Sequence, residues 1–208
     1  MMPPPESWRI LFIYPPQQGG DVGLVMPPLG LTSLAAVTRE NGHQVELLDA
    51  AAEKLDLPSV ISRVTAHSPW HCIGITATTP TFSTAQKIAK AVGTPFTKVI
   101  LGGPHLNGLA AEGRYDLPDG FDAGIIGEGE DALQELISYW QTRERNLPLP
   151  EGVLLPGHPF RKRTRPVDLE RLPLPARDLL PNHLYRSPLC PGRRPTSLIT
   201  TRGCPHHC

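Results

Sequence analysis

The feature that most narrows the folds open to this chain is an alternation, sustained over its first 145 residues, of short apolar, β-branched runs with amphipathic segments. Residues 9–14, 44–48, 72–76, 98–101 and 122–126 read as strands, being rich in Ile, Val and Leu and too short for stable helices. Residues 29–41, 58–67, 81–92, 106–113 and 130–143 read as the helices that follow them. The first helix is the best punctuated: Leu31, Leu34, Ala35 and Thr38 recur at helical spacing, and Asn41-Gly42 supplies a left-handed stop. A strand followed by a helix, five times over, predicts a doubly wound α/β fold, Rossmann- or flavodoxin-like, with a five-stranded parallel sheet between flanking helices. Ligands of such sheets bind beyond the carboxyl ends of the strands, so each loop that follows a strand is a candidate site.

Prolines bound that unit. Of 25, 12 lie between Pro148 and Pro205, where they remove ladder donors and interrupt helices. Residues 146–195 are therefore expected to be a Pro-rich linker and not a core. Within it, Arg161-Lys162-Arg163-Thr164-Arg165 reads as a solvated turn or hairpin, the alternative being a docking patch for a further domain. Lys+Arg and Asp+Glu both number 20, so no basic surplus exists to neutralise a phosphate backbone, and nucleic acid is not an expected partner. The apolar run Ile10-Leu11-Phe12-Ile13 falls far short of the roughly 20 residues of a membrane span, and the opening residues lack a basic leader, which predicts a soluble, cytoplasmic protein with no membrane partner. Two of the four cysteines, Cys204 and Cys208, sit in the last five residues, a clustering that suits metal ligation better than a disulfide framework.

The loops after the strands share a character. Residues 15–28 form a long connection with neither a dinucleotide glycine fingerprint nor a nucleoside-triphosphate loop. Thr76-Ala77-Thr78-Thr79-Pro80-Thr81 offers hydroxyls for amides or a ribose, although Thr79 or Thr81 beside Pro80 equally suits a helix cap. In Gly102-Gly103-Pro104-His105 the paired glycines let a bulky ligand approach the backbone with no Cβ in the way. The last loop, Gly127-Glu128-Gly129-Glu130-Asp131, places acids where a helix macrodipole favours them, with Glu128 held between two glycines before the helix proper. An edge so rich in glycine, proline and hydroxyls, with few charges, suits a large, amide-decorated, nearly neutral ligand.

The ordered series Met26-Pro27-Pro28-Leu29-Gly30-Leu31, Gly42-His43-x-Val45 with Asp49, Gly74-Ile75-Thr76, Gly102-Gly103-Pro104-His105 and Gly127-Glu128-Gly129-Glu130 resembles the cobalamin (B12)-binding domain of B12-dependent radical S-adenosylmethionine proteins. Asp168-Leu169-x-x-Leu172-Pro173 and Pro175-x-Arg177-Asp178-Leu179-Leu180-Pro181 are similar to that family's interdomain segment. Thr200-Thr201-Arg202-Gly203-Cys204-Pro205-His206-His207-Cys208 resembles the start of its radical domain, whose motif is C-x-x-x-C-x-x-C. The resemblance implies a cobalamin-binding domain over residues 1–145, an interdomain linker over 146–195, and over 196–208 the beginning of a truncated radical domain. It further implies that Cys204 and Cys208 are the first two ligands of a [4Fe-4S] cluster, the third falling at position 211, and that the intact parent binds S-adenosylmethionine at the open iron. Zinc held by Cys204, Cys208, His206 and His207, or a chance pair of tail cysteines, are the alternatives.

On this resemblance the corrin face rests against Leu29, Gly30 and the loop of Thr76 and Thr78, the nucleotide tail enters near Gly102, Gly103 and Gly127, and Pro104, Glu128 and Gly129 are further cofactor-binding residues. His105 either touches the cofactor or caps its turn. Residues 15–28 contain no histidine, so cobalamin is expected with its benzimidazole displaced and no protein imidazole in its place. The parent is expected to be a methyltransferase, and this fragment alone to be inactive. A non-catalytic B12 carrier and a flavodoxin-like flavin- or nucleotide-binding module are the other readings.

Overall fold

A computed structural model describes residues 7–17, 25–142, 148–164 and 167–203. Its chain runs β1 (Arg9–Tyr14), α1 (Leu29–Glu40), β2 (Gln44–Asp49), α2 (Leu57–Ala66), β3 (Cys72–Thr76), α3 (Phe82–Val92), β4 (Lys98–Gly102), α4 (Pro104–Ala111), β5 (Ala123–Ile125), α5 (Glu130–Gln141) and β6 (Val153–Leu154). The sheet order is β2-β1-β3-β4-β5-β6, parallel through β5. The order reverses between β1 and β3, and a ligand crevice opens where a doubly wound sheet does this.

Alternation along the strands builds a core on each face. Ile10 and Phe12 of β1 join Ile100, Ile125 and the apolar sides of α1 and α5. Leu11 and Ile13 point the other way, into a layer with Ile73, Ile75, Val60 of α2 and Ile88 of α3. Local chemistry starts and stops the helices: the Asp56 side chain accepts the Ser59 N–H at 2.9 Å to begin α2, while Asn41 and Gly42, whose φ is 84°, close α1. Among the described residues no helix is long and apolar enough to cross a membrane.

Two expectations are corrected here. The sheet has six strands and is mixed, because β6 pairs antiparallel with β5, matching Gly124 to Leu154 and Ile125 to Val153. β5 is only three residues long and would otherwise leave an open edge, which β6 covers. Nor does the proline-rich stretch stay outside the core: Val153, Leu154, Val167, Ala176, Leu180 and Tyr185 are all buried. Proline prevents regular elements there, yet isolated apolar side chains still dock on the sheet and helices. The Ala176 N–H donates to the Thr32 carbonyl at 3.0 Å, and Val25 and Arg186 exchange two backbone bonds at 2.9 and 3.0 Å. In the basic run Arg161, Lys162 and Thr164 are exposed, as a solvated turn requires, while Arg163 pairs with Asp131 and Glu135 of α5 at 3.1 and 3.0 Å with its side chain 12% exposed.

Candidate cofactor site

A cavity of about 690 Å³ opens at the carboxyl edge of the sheet. Its floor is made of Thr76 at the end of β3, Gly102, Gly103 and Pro104 at the β4–α4 junction, Gly127, Glu128 and Gly129 after β5, and Leu29 and Gly30 at the start of α1. From the floor it reaches down between the sheet and the α1/α5 layer, where Phe12, Gly74, Ile100 and Leu133 line it. Residues 172–175 and 198–200, with Arg177 and Arg202, form the opposite wall. This size is within the range of ordinary small-molecule sites, and the lining is mostly apolar with a few polar groups.

Gly103 and Gly102 serve different ends. Gly103 has φ 97°, and a Cβ there would stand 2.4 Å from Thr76 Oγ1 and 3.0 Å from the Ala77 backbone, so glycine is required by the turn itself. At Gly102, as at Gly30 and Gly127, nothing lies within 4 Å of where a Cβ would be. All three of these line the cavity, and the space in front of their backbones is open to a ligand. The Gly127 N–H is held by Asn107 Oδ1 at 2.8 Å, which orients the loop that carries Glu128.

The cap that the sequence offers to Thr79 or Thr81 falls to Thr78 paired with Thr81, and His105 does not cap its own turn but packs beside this one. The Thr78 backbone N–H donates to Thr81 Oγ1 at 2.9 Å and the two hydroxyls lie 3.0 Å apart, a capping box ahead of α3. His105 sits in the first turn of α4, its ring 4.1 Å from that of Phe82 and its Nδ1 3.2 Å from Thr79 Oγ1. Desolvation, then the Arg114 charge, lowers its pKa, favouring the neutral imidazole. Neither residue is in the cavity wall. Cys204 and Cys208, with His206 and His207, lie outside the described residues.

The charged groups of the site were not visible in the sequence as a set. Glu130, 4% exposed, accepts from Arg202 at 2.6 Å, and Arg202 also stands 3.5 Å from Glu128. The bond to Glu130 raises the Arg202 pKa, so the guanidinium is permanently charged. The other oxygen of Glu128 accepts the Val167 N–H at 2.9 Å. The loop after β5 thus grips the returning chain at two points 35 residues apart in sequence. The only local hint was the acidic pair flanking Gly129; the partner, Arg202, is 72 residues from Glu130. Beyond the cavity, Asp49 at the end of β2 accepts from Tyr185 Oη at 2.8 Å and from the Ala52 N–H at 2.9 Å. Burial raises the Asp49 pKa although both hydrogen bonds oppose it, and it raises that of Tyr185 far above the usual phenol.

A 2-1-3-4-5 parallel sheet with a deep, glycine-floored cavity at its switch point defines an α/β cofactor- or nucleotide-binding domain. The chain belongs to the B12 binding domain family, which matches residues 19–137. It is 35% identical over 135 residues to an uncharacterized methyltransferase, PH0819, of Pyrococcus horikoshii, an alignment covering 62% of this chain and 28% of that protein. Among solved structures it resembles OxsB, a cobalamin-dependent S-adenosylmethionine radical enzyme with aqua-cobalamin and S-adenosylmethionine bound, with a TM-score of 0.65, 16% identity, and coverage of 84% of this chain and 25% of that one. It also resembles TsrM, a radical S-adenosylmethionine methyltransferase from Kitasatospora setae with cobalamin and a [4Fe-4S] cluster bound, with a TM-score of 0.54, 20% identity, and coverage of 71% and 28%. At these identities the structural likeness concerns the fold. The chain spans about a quarter of the length of each of these proteins.

Proposed function

We propose that this chain is the cobalamin-binding part of a B12-dependent radical S-adenosylmethionine methyltransferase. Family membership supports the cofactor, and the observation that carries the reading is the floor of three glycines, Gly30, Gly102 and Gly127, each facing open space in one cavity. That floor fits a broad macrocycle approaching the backbone along the whole sheet edge. Leu29, Gly30 and Thr76 would lie against the corrin, and Gly102, Gly103, Pro104, Gly127, Glu128 and Gly129 along the path of the nucleotide tail; Thr78, in its capping box, and His105, bonded to Thr79, would act by holding the loop after β3.

When bound, cobalamin supplies a carrier for a methyl group. The chain's own residues do the rest of the work proposed for it. Phe12, Ile100 and Leu133 would exclude water from an inserted tail, and Phe12 can pack over Gly74 only because residue 74 has no Cβ, which would stand 2.8 Å from its ring. Arg202, fixed by Glu130 and Glu128, holds the segment leading to Cys204 against the cofactor edge. Cys204 and Cys208 would be cluster ligands in the intact parent, with S-adenosylmethionine at its open iron. Residues 1–145 then form the cofactor domain, 146–195 the connection and 196–208 the opening of the radical domain. A reducing, cytoplasmic setting accompanies this reading, in keeping with the free thiols of Cys72 and Cys190.

The test is incubation with hydroxocobalamin, desalting and a visible spectrum. One equivalent retained, with no spectrum of histidine-ligated cobalt, is the expected result. Loss of all corrinoid on desalting, or retention of flavin instead, defeats the proposal.

A further inference from the structure

Four buried side-chain polar atoms among the described residues have no hydrogen-bond partner: Trp8 Nε1, Gln134 Oε1, Arg163 Nε and Arg177 Nε. Of these only Arg177 belongs to a residue lining the cavity. A buried guanidinium N–H without an acceptor is costly, and it leaves Arg177 short of oxygen partners in the wall of the cavity.

The charge of Arg177 is also unspent. One Nη donates to the Ser197 carbonyl, a neutral acceptor. Its neighbour Asp178 is turned away into a bidentate pair with Arg39 at 2.6 and 3.1 Å. The cavity's acids, Glu128 and Glu130, are both engaged by Arg202. Among the described residues no carboxylate pairs with Arg177. The residue is nevertheless held firmly, because Ala176 before it is buried and bonded to the Thr32 carbonyl in the first turn of α1, a helix start with no acidic residue to offset its dipole. Arginine forks of this kind recognise phosphate and carboxylate oxygens.

We infer that Arg177 is an anion-binding residue of the cofactor site and takes the phosphodiester that links the corrin side chain of cobalamin to its nucleotide tail. This rests on the cobalamin reading above and adds to it the group that distinguishes complete cobalamin from tail-less corrinoids. Arg202 does not share the role, since its fork is occupied by carboxylates.

The experiment compares aquacobalamin with cobinamide, the same macrocycle without phosphate or nucleotide, on the full chain and on Arg177→Gln and Arg177→Lys, by equilibrium titration in the visible. Arg177→Gln should bind cobalamin about 10- to 100-fold more weakly, the loss of a charge-assisted hydrogen bond. Its affinity for cobinamide should be unchanged or tighter, which also shows that the cavity has kept its shape. Arg177→Lys should restore part of the cobalamin affinity, and with it part of the preference for cobalamin over cobinamide. Added salt should weaken cobalamin binding to the wild-type chain more than to Arg177→Gln. Equal losses for both corrinoids, or no loss for either, overturn the assignment to the phosphodiester while leaving cobalamin binding intact. Failure of the wild-type chain to bind either corrinoid overturns both.

Discussion

Adjacent glycines at the end of β4 should fail in opposite ways when each is given a methyl group. In Gly103→Ala the new Cβ meets Thr76 Oγ1 at 2.4 Å and the Ala77 N and O at 3.0 Å, at a backbone with φ 97° and ψ −176°. That conformation costs a non-glycine residue about 1–3 kcal/mol. Relief by movement is blocked, since the Ala77 N–H is bonded to the Gly102 carbonyl and the Ala77 carbonyl to the His105 N–H, both at 2.9 Å. Overpacking against this fixed backbone adds about 1–3 kcal/mol, for a total loss of about 2–6 kcal/mol in urea unfolding. Gly102→Ala meets nothing within 4 Å and should change stability by less than about 0.5 kcal/mol. Its methyl group enters the cavity floor, so corrinoid affinity measured by visible titration should fall roughly tenfold, or about 1.4 kcal/mol. The reasoning is refuted if Gly103→Ala costs under about 1 kcal/mol, or if the two variants lose stability alike.

Three further outcomes can be checked. Burial raises the Asp49 pKa in the native state; between the unfolded value of about 3.9 and the raised one the folded chain binds more protons, so the stability of wild type relative to Asp49→Asn should fall as pH rises through that window, and a flat or rising difference in urea titrations contradicts this. Breaking a buried ion pair costs about 3–5 kcal/mol, but the Arg202 side chain is 25% exposed and its segment can lift to hydrate Glu130, so Arg202→Met should cost about 1–2 kcal/mol in urea unfolding. Arg202→Met with Glu130→Gln should recover part of that loss, and simple additivity would refute the coupling. Cys72 is buried and its thiol pKa is pushed far up by desolvation, so alkylation of the native chain followed by peptide mapping should find Cys190 modified and Cys72 spared until denaturant is added; equal rates would refute it.

Much of this molecule is legible residue by residue. Alternation of Ile10 and Phe12 with Leu11 and Ile13 marks a strand buried on both faces, and the glycine loops after β4 and β5 mark the edge where a ligand can reach the backbone. The threonines after β3 were ambiguous because one hydroxyl serves a cap as well as a ligand, and only the register of Thr78 with Thr81 assigned it to the cap. β6 escaped notice since two residues carry no periodicity; Val153 and Leu154 are a strand only because the edge of β5 is there to pair with.

What the sequence determined by itself was therefore the parallel α/β layering and the edge on which the candidate site sits, set by short-range periodicity and by glycines whose role is local; the resemblance to a family was carried by the ordered series of loop motifs. The tertiary structure alone decided how residues 148–164 and 167–203 return over that edge. Tyr185 reaches Asp49 across 136 positions and Arg202 reaches Glu130 across 72. The same return leaves Arg177 in the wall of the cavity with its Nε unpaired and, among the described residues, no carboxylate beside it. Pairings over such distances carry no signal in local spacing, because charge and hydrogen-bond partners are chosen by where the folded chain brings them together.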